Sequence, residues 1–77
     1  MIVMYLHPTS AGTFAIKLID SRWHAMFEDE PLGSYAQPWQ ALEDLVGGHT
    51  FSASCGDTAA MGLPDELSEW TAVRAHD

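Results

Sequence analysis

Three side chains near the middle of the chain are of the types that support nucleophilic catalysis. His49, Cys55 and Asp57 lie within nine residues, and a cysteine beside a histidine base and a carboxylate can act as a nucleophile. Catalytic groups usually come from separate elements, and this segment supplies neither an oxyanion site nor a helix start next to Cys55. We therefore interpret it as a polar turn and predict that the protein is not an enzyme.

The histidines and the cysteine are also common zinc ligands. No pair among them has the C-x2-C or H-x3-H spacing of a structural zinc site, so the sequence predicts neither a metal nor a cofactor. Because there is one cysteine, no internal disulfide can form, which favours a reducing compartment. The candidate ligands considered are His7, His24, His49, His76 and Cys55.

Residues 47–50, Gly-Gly-His-Thr, have the composition of a phosphate loop. They follow a predicted helix instead of preceding one, and no lysine comes after them. Their backbone amides therefore lack the helix N-terminus on which phosphate loops depend. We interpret the two glycines as the end of the helix.

The carboxylates are the side chains with the most functional promise. Eleven acidic residues accompany three Lys and Arg, for a formal net charge of -8. Carboxylates a few ångströms apart can imitate the phosphates of a duplex, which recur about every 3.4 Å along each strand. The alternative is a solvated acidic surface that maintains solubility. The predicted partner-binding carboxylates are Glu28, Asp29, Glu30, Glu43, Asp44, Asp57, Asp65, Glu66 and Glu69.

This charge argues against two classes of partner and favours a third. Lys17, Arg22 and Arg74 are too few to form the basic footprint that nucleic acid requires, and an anionic membrane would repel the chain. A protein with a basic surface is the favoured partner, for example a nucleic-acid-handling complex. Residues 1–6 lack the basic region of a signal peptide, and no stretch approaches the ~20 apolar residues of a membrane span. We therefore expect a cytoplasmic protein.

The strands that must position these side chains are short. Residues 13–19 and 22–28 alternate between apolar and polar side chains, and two turn-forming residues join them, which predicts a β-hairpin. Residues 2–6 have strand-like composition before a predicted turn at 7–12, and residues 32–35 are a further candidate. Residues 50–54 form either another strand or an ordered loop.

A helix is predicted over residues 38–46. Proline suits the first helical position because its missing N–H would be unpaired there. Trp39, Leu42, Leu45 and Val46 then recur at helical spacing. The sum is an α+β fold: an antiparallel sheet of three strands, or four in the alternative, with one helix packed on it in the order β-β-β-α.

The C-terminal region is predicted to add one helical turn over residues 65–70. Leu63, Leu67 and Trp70 have helical spacing, which favours docking of Trp70 on the core. The alternative presents Trp70 to a partner, since tryptophan is enriched at binding hot spots.

A chain of 77 residues corresponds to one domain. Such domains bury only ~60% of their unfolded surface, so we expect Trp39, Phe51 and the other large aromatic side chains to supply the core. We assign residues 1–70 to a single α+β domain and residues 71–77 to a frayed tail. A second copy completing a marginal core, as a homo-oligomeric module, is the alternative to a binding protein.

Three blocks of the chain resemble short proteins of bacteria and their mobile elements. The blocks are WHAMFEDEPLGSY (23–35), ALEDLVGGHTF (41–51) and GLPDELSEW (62–70). That resemblance implies no activity and no catalytic residues. In size, acidity and lack of catalytic apparatus, the chain is also similar to anti-CRISPR and other phage-encoded anti-defence proteins. This second likeness implies a stoichiometric inhibitor that occupies a nucleic-acid-binding or partner-binding surface of a bacterial defence complex.

Overall fold

A computed structural model describes residues 1–51 and 53–75. The fold is α+β, as predicted, but its antiparallel sheet has five strands, so the prediction of three or four is too small. One α-helix, α1 (Pro38–Gly47), follows the fourth strand, and two single-turn 3-10 helices follow α1 at Thr58–Ala60 and Leu67–Glu69. The strands are β1 (Ile2–Thr9), β2 (Gly12–Ile19), β3 (Arg22–Phe27), β4 (Glu30–Tyr35) and β5 (Thr71–Arg74).

The first four strands form a meander, and β5 pairs with β1, so the sheet order is β4-β3-β2-β1-β5. Asp20 and Ser21 connect β2 to β3 with φ values of 50° and 67°, as in hairpin turns whose twist matches that of the strands. The predicted hairpin is thus confirmed. The connections at 10–11 and 28–29 lie together at the opposite end of the sheet, which we call the hairpin end.

Strand β1 is three residues longer than predicted, because the turn formers at 7–9 belong to the strand. Thr9 Oγ1 donates a hydrogen bond to the Gly12 carbonyl (2.7 Å) and accepts one from the Gly12 N–H (3.2 Å). These bonds confine the turn to Ser10 and Ala11. Pro8 is tolerated because it lies beyond Leu6, the last β1 residue that pairs with β5.

Strand β4 begins two residues earlier than predicted, and β3 ends at Phe27, so Glu28 belongs to the turn. Pro31 lies inside β4, which is an edge strand. Proline is accepted at an edge, where no ladder donor is needed on the open side. A register shift between Ala25 and Met26 leaves Leu32 unpaired in the ladder, and its side chain is buried in the core.

The prediction of a frayed tail is wrong for residues 71–75. Thr71 pairs with Leu6 and Val73 with Met4, and the Ala75 N–H donates to the Met1 carbonyl at 2.9 Å. Backbone hydrogen bonds hold β5, and only Val73 is half-buried, so the segment has no apolar pattern to reveal it. Residues 76 and 77 of the predicted tail lie outside the described residues.

Helix α1 packs on one face of the sheet, and the core lies between them. Phe14, Ile16, Leu32 and Leu45 are the largest fully buried side chains. Proline occupies the first turn, and Gly48 (φ 75°) ends the helix in the left-handed conformation, so the predicted helix is confirmed and one residue longer. Among the described residues, no helix has the length and apolar character needed to cross a membrane.

Two aromatic side chains predicted for the core are exposed. Trp39 is 55% exposed and Phe51 is 77% exposed. The buried residues of α1 are Ala41, Leu42 and Leu45. At 3.6 residues per turn, Trp39 points about 110° away from the centre of that face. Alanine at 41, which the apolar spacing did not single out, rotates the buried stripe away from Trp39.

The last predicted elements are shorter than expected. The helical turn over 65–70 is a 3-10 turn limited to Leu67–Glu69. Within the described part of 50–54, only Ala53 takes part in a bridge, with Gly56, and Ser52 lies outside the described residues. This segment is therefore a loop with one isolated bridge.

Candidate binding surface

The three side chains considered for catalysis each have a different neighbour. Cys55 Sγ lies 3.9 Å from Met61 Sδ, and a thioether is not a base. The His49 ring lies against Gly47. Asp57 Oδ1 accepts a hydrogen bond from the Ala59 N–H (3.0 Å) and caps the first 3-10 helix. These contacts are those of an ordered turn.

The candidate metal ligands are likewise dispersed. Within residues 1–51 and 53–75, no group of three His, Cys, Asp or Glu side chains could hold a metal ion. The His7 ring packs on Trp70 with 5.4 Å between ring centroids, and His24 pairs across the sheet with Lys17. His76 lies outside the described residues.

The first group of predicted carboxylates surrounds the β3–β4 turn at the hairpin end. The Glu28 N–H donates to the Thr13 carbonyl (2.9 Å), and Glu28 Oε1 accepts from the Thr13 N–H (3.2 Å). Glu30 Oε1 accepts from the Ser54 N–H (3.2 Å) and from the Ser54 hydroxyl. Asp29, at the tip of the turn, is exposed.

A second acidic group reaches the same end from the other side of the sheet. Because β5 is antiparallel to β1 and begins opposite Leu6, the residues that precede β5 lie at the hairpin end. The Trp70 indole N–H donates to the Pro64 carbonyl at 3.0 Å, which keeps the segment 64–70 close to this point. Asp65, Glu66 and Glu69 within it are all exposed.

The loop after α1 also comes to the hairpin end. Its Phe51 N–H donates to the Leu32 carbonyl near the start of β4 (3.0 Å), and Ser54 contacts Glu30 as described above. Asp57 caps the first 3-10 helix beside Gly48, at the end of α1, so we do not place it with these carboxylates. We call the surface formed by the other two groups the acidic end, and it comprises Glu28, Asp29, Glu30, Asp65, Glu66 and Glu69.

The acidic end is a broad surface flanked by two acidic groups. The β3–β4 turn joins strands that lie three and four spacings from β5, and at ~4.8 Å per spacing this is about 14–19 Å. Its carboxylates differ in what they already bind. Glu28 and Glu30 accept backbone hydrogen bonds, so they also stabilise the fold.

Glu43 and Asp44 do not belong to the acidic end. They lie midway along α1, where Asp44 is half-buried and Glu43 is exposed. Burial raises the pKa of Tyr35 to about 12, and the Asp44 carboxylate beside its hydroxyl adds to this rise. Asp44 is therefore engaged with the end of β4, and Glu43 is an exposed carboxylate at a distance from the others.

Trp70 lies in the core, as the favoured interpretation had it. It is 5% exposed and belongs to the same buried cluster as Phe14 and Leu63. It offers little surface to a partner, so we do not include it in the binding surface.

Trp39 is the exposed tryptophan that the sequence interpretation assigned to the core. It lies beside Arg22, Tyr35 and Glu43 in a groove at the start of α1. A helical-wheel comparison that counted Ala41 as a core residue would have found it.

In comparisons with protein-family models, with curated proteins and with solved structures, nothing matched this chain. The interpretation of its surfaces therefore depends on their geometry and charge.

Proposed function

We propose that this protein binds a basic surface of another protein through its acidic end and thereby blocks that surface. The observation that carries the proposal is the topology, which directs six of the eleven acidic residues to one end of the sheet. Dispersed carboxylates would be enough for solubility. Their concentration at one end produces a directional negative potential that attracts and orients a basic partner.

The proposed target surface is one that otherwise binds nucleic acid. The two flanking acidic groups are about 14–19 Å apart by strand spacing, of the same order as the ~12 Å width of the DNA major groove, whose edges are two rows of phosphates. Hydrogen bonds hold the β3–β4 turn to Thr13 and Pro64 to Trp70, which reduces the loop entropy lost on binding. This geometry supports a stoichiometric inhibitor of a nucleic-acid-handling complex, in the manner of anti-CRISPR proteins.

The experiment is affinity capture from bacterial lysate at low and high salt, with variants that separate position from total charge. Asp29→Lys and Glu69→Lys reverse exposed carboxylates of the two flanking groups. Glu43→Lys is the matched control, because it makes the same change in net charge on an exposed helix position outside the acidic end.

We expect a basic protein to be retained at about 0.05 M salt and lost at about 0.5 M, where the screening length falls below ~5 Å. Asp29→Lys and Glu69→Lys should each reduce retention, whereas Glu43→Lys should not. Equal losses with all three variants would mean that only net charge matters, and retention that is independent of salt would contradict the proposal.

A further inference from the structure

The second face of the sheet is not covered by α1. Residues that pair across antiparallel strands lie on the same face, so the pairing of Leu6 with Ala15, and of Ala15 with Met26, places these three on one face. Their neighbours Met4, Lys17 and Val73 share it by register. We call this the open face. Except for Ala15, none of the six is fully buried, and none belongs to the buried core cluster.

The open face is more apolar than a solvated sheet face should be. In an antiparallel sheet with one face in water, the outward positions are normally polar. Here the outward positions of β1 are Met4 and Leu6, which are half-buried, and Pro8, which is exposed. Ala15 is only 3% exposed, because the larger side chains of Leu6 and Met26 flank it in the same row. This apolar row crosses the three central strands.

The open face also differs from the rest of the surface in charge. Within residues 1–51 and 53–75, no acidic side chain occupies an outward strand position: Glu30, the one acidic residue of the described strands, pairs with the core residue Phe27. Lys17 and Arg22 lie on the open face by register. In a chain of net charge -8, this is where a second copy can approach with the least repulsion between carboxylates.

The size of the open face is sufficient for a specific contact. Five strands spaced by ~4.8 Å and about 20 Å long cover roughly 400–500 Å2 in projection. The contoured side-chain surface is larger, so two copies would bury on the order of 1,000 Å2, near the lower limit for a biological interface. We propose that two copies of this chain associate through their open faces, sheet against sheet.

Lys17 is compatible with this arrangement. Sheets that pack face to face cross at about 30°, so a two-fold axis near Ala15 need not superimpose the two lysines. The methylenes of each Lys17 can cover apolar surface, while the ammonium group reaches the rim and remains hydrated. Both acidic ends then stay outside the interface, and each remains free for the partner proposed above.

Sedimentation equilibrium of the purified protein tests the inference. We expect a dimer at about 100 µM that tightens as salt rises, because salt screens the repulsion between two acidic chains. This dependence has the opposite sign to that expected for the basic partner, so failure of one proposal leaves the other standing. A monomer at this concentration in both low and high salt would overturn the dimer.

Three variants locate the interface. Leu6→Lys places an ammonium group in the apolar row, and Ile19→Lys places one at the margin of the open face beside its cross-strand partner Arg22, where a 44% exposed side chain tolerates the change without loss of folding. Phe51→Lys is the matched control, since it alters an exposed apolar side chain beside the other face of the sheet. We expect at least a tenfold weaker dimer for the first two, because the open face already carries Lys17 and Arg22 and an added cation repels the second copy, and an unchanged dimer for Phe51→Lys. The proposal is wrong if Phe51→Lys weakens the dimer as much as folded Ile19→Lys does, or if neither open-face variant weakens it.

Discussion

Replacement of Trp70 by alanine should be among the most damaging single substitutions in this chain. The indole ring is 5% exposed, its N–H donates to the Pro64 carbonyl at 3.0 Å, and it packs on His7. The residue also directly precedes β5. Its removal would therefore leave a cavity at the hairpin end and loosen the strand that completes the sheet.

The expected loss can be estimated from these contacts. Truncation of a buried tryptophan to alanine costs about 3–5 kcal/mol. A domain of this length has a total free energy of unfolding of about 4–12 kcal/mol at ~0.05–0.15 kcal/mol per residue. The variant should thus lose about a quarter or more of its stability. At ~4 °C or more per kcal/mol for so small a domain, its Tm should fall by at least about 12 °C.

Urea unfolding monitored by circular dichroism measures this loss. Trp39→Ala is the matched control, because the same atoms are removed from a side chain that is 55% exposed, and we expect a change within about 1 kcal/mol. Trp70→Phe should lose an intermediate amount, since the Pro64 carbonyl loses its donor. If Trp70→Ala unfolds within about 1 kcal/mol of the parent protein, or if Trp39→Ala is the more damaging, our assignment of the core is wrong.

Three further substitutions test local features. Burial and the neighbouring Asp44 raise the pKa of Tyr35 from 10.0 to about 12. The contribution of Tyr35 to the free energy of unfolding is therefore constant below pH 10 and is lost as pH rises through 12. When the free energy of unfolding is measured against pH, its decline at alkaline pH should be shallower for Tyr35→Phe than for the parent protein. Gly48→Ala should cost about 1–2 kcal/mol in urea unfolding, because φ at this position is 75°. Thr58→Val should cost about 1 kcal/mol in the same assay, since the buried hydroxyl of Thr58 donates to the Leu45 carbonyl at 2.6 Å. An unchanged unfolding midpoint would contradict the left-handed backbone at Gly48 in the first case and the hydrogen bond of Thr58 in the second.

The sequence predicts strands well where one face is buried and the other is not. Strands β2 and β3 alternate because Phe14 and Ile16 on β2, and Ala25 and Phe27 on β3, all face the core. Strand β5 has no such signal, because a short edge strand is held by backbone hydrogen bonds that any residue can make. Pro8 falls in the segment 7–12 that was predicted to be a turn, yet it lies in β1, where the sheet needs no donor from it. That prediction failed because it depends on which strands are neighbours, and a local sequence pattern does not show this.

The candidate site, like the sheet, was predictable in its residue types but not in its spatial arrangement. The acidic residue types could be identified from the sequence, but whether they lie together depends on topology. Asp29 and Glu69 are 40 positions apart in the chain and share the hairpin end only because β5 pairs with β1. Glu43 is also acidic, but it lies on α1, away from the acidic end. The open face was missed because β1 is apolar on both of its faces, which removes the alternation that would have indicated an outward side.

The most direct test of the central claim is the affinity of the captured basic partner, measured by calorimetry across a salt series with the parent protein and with the Asp29→Lys, Asp65→Lys, Glu69→Lys triple variant. Because the contact is proposed to depend on exposed charges that salt screens, we predict that the Kd of the parent protein rises at least about tenfold between ~0.05 and ~0.5 M salt. At ~0.05 M salt, the triple variant should bind at least as weakly as the parent protein does at ~0.5 M salt. A Kd that is independent of salt, or a triple variant that binds as tightly as the parent protein, would contradict recognition through the acidic end.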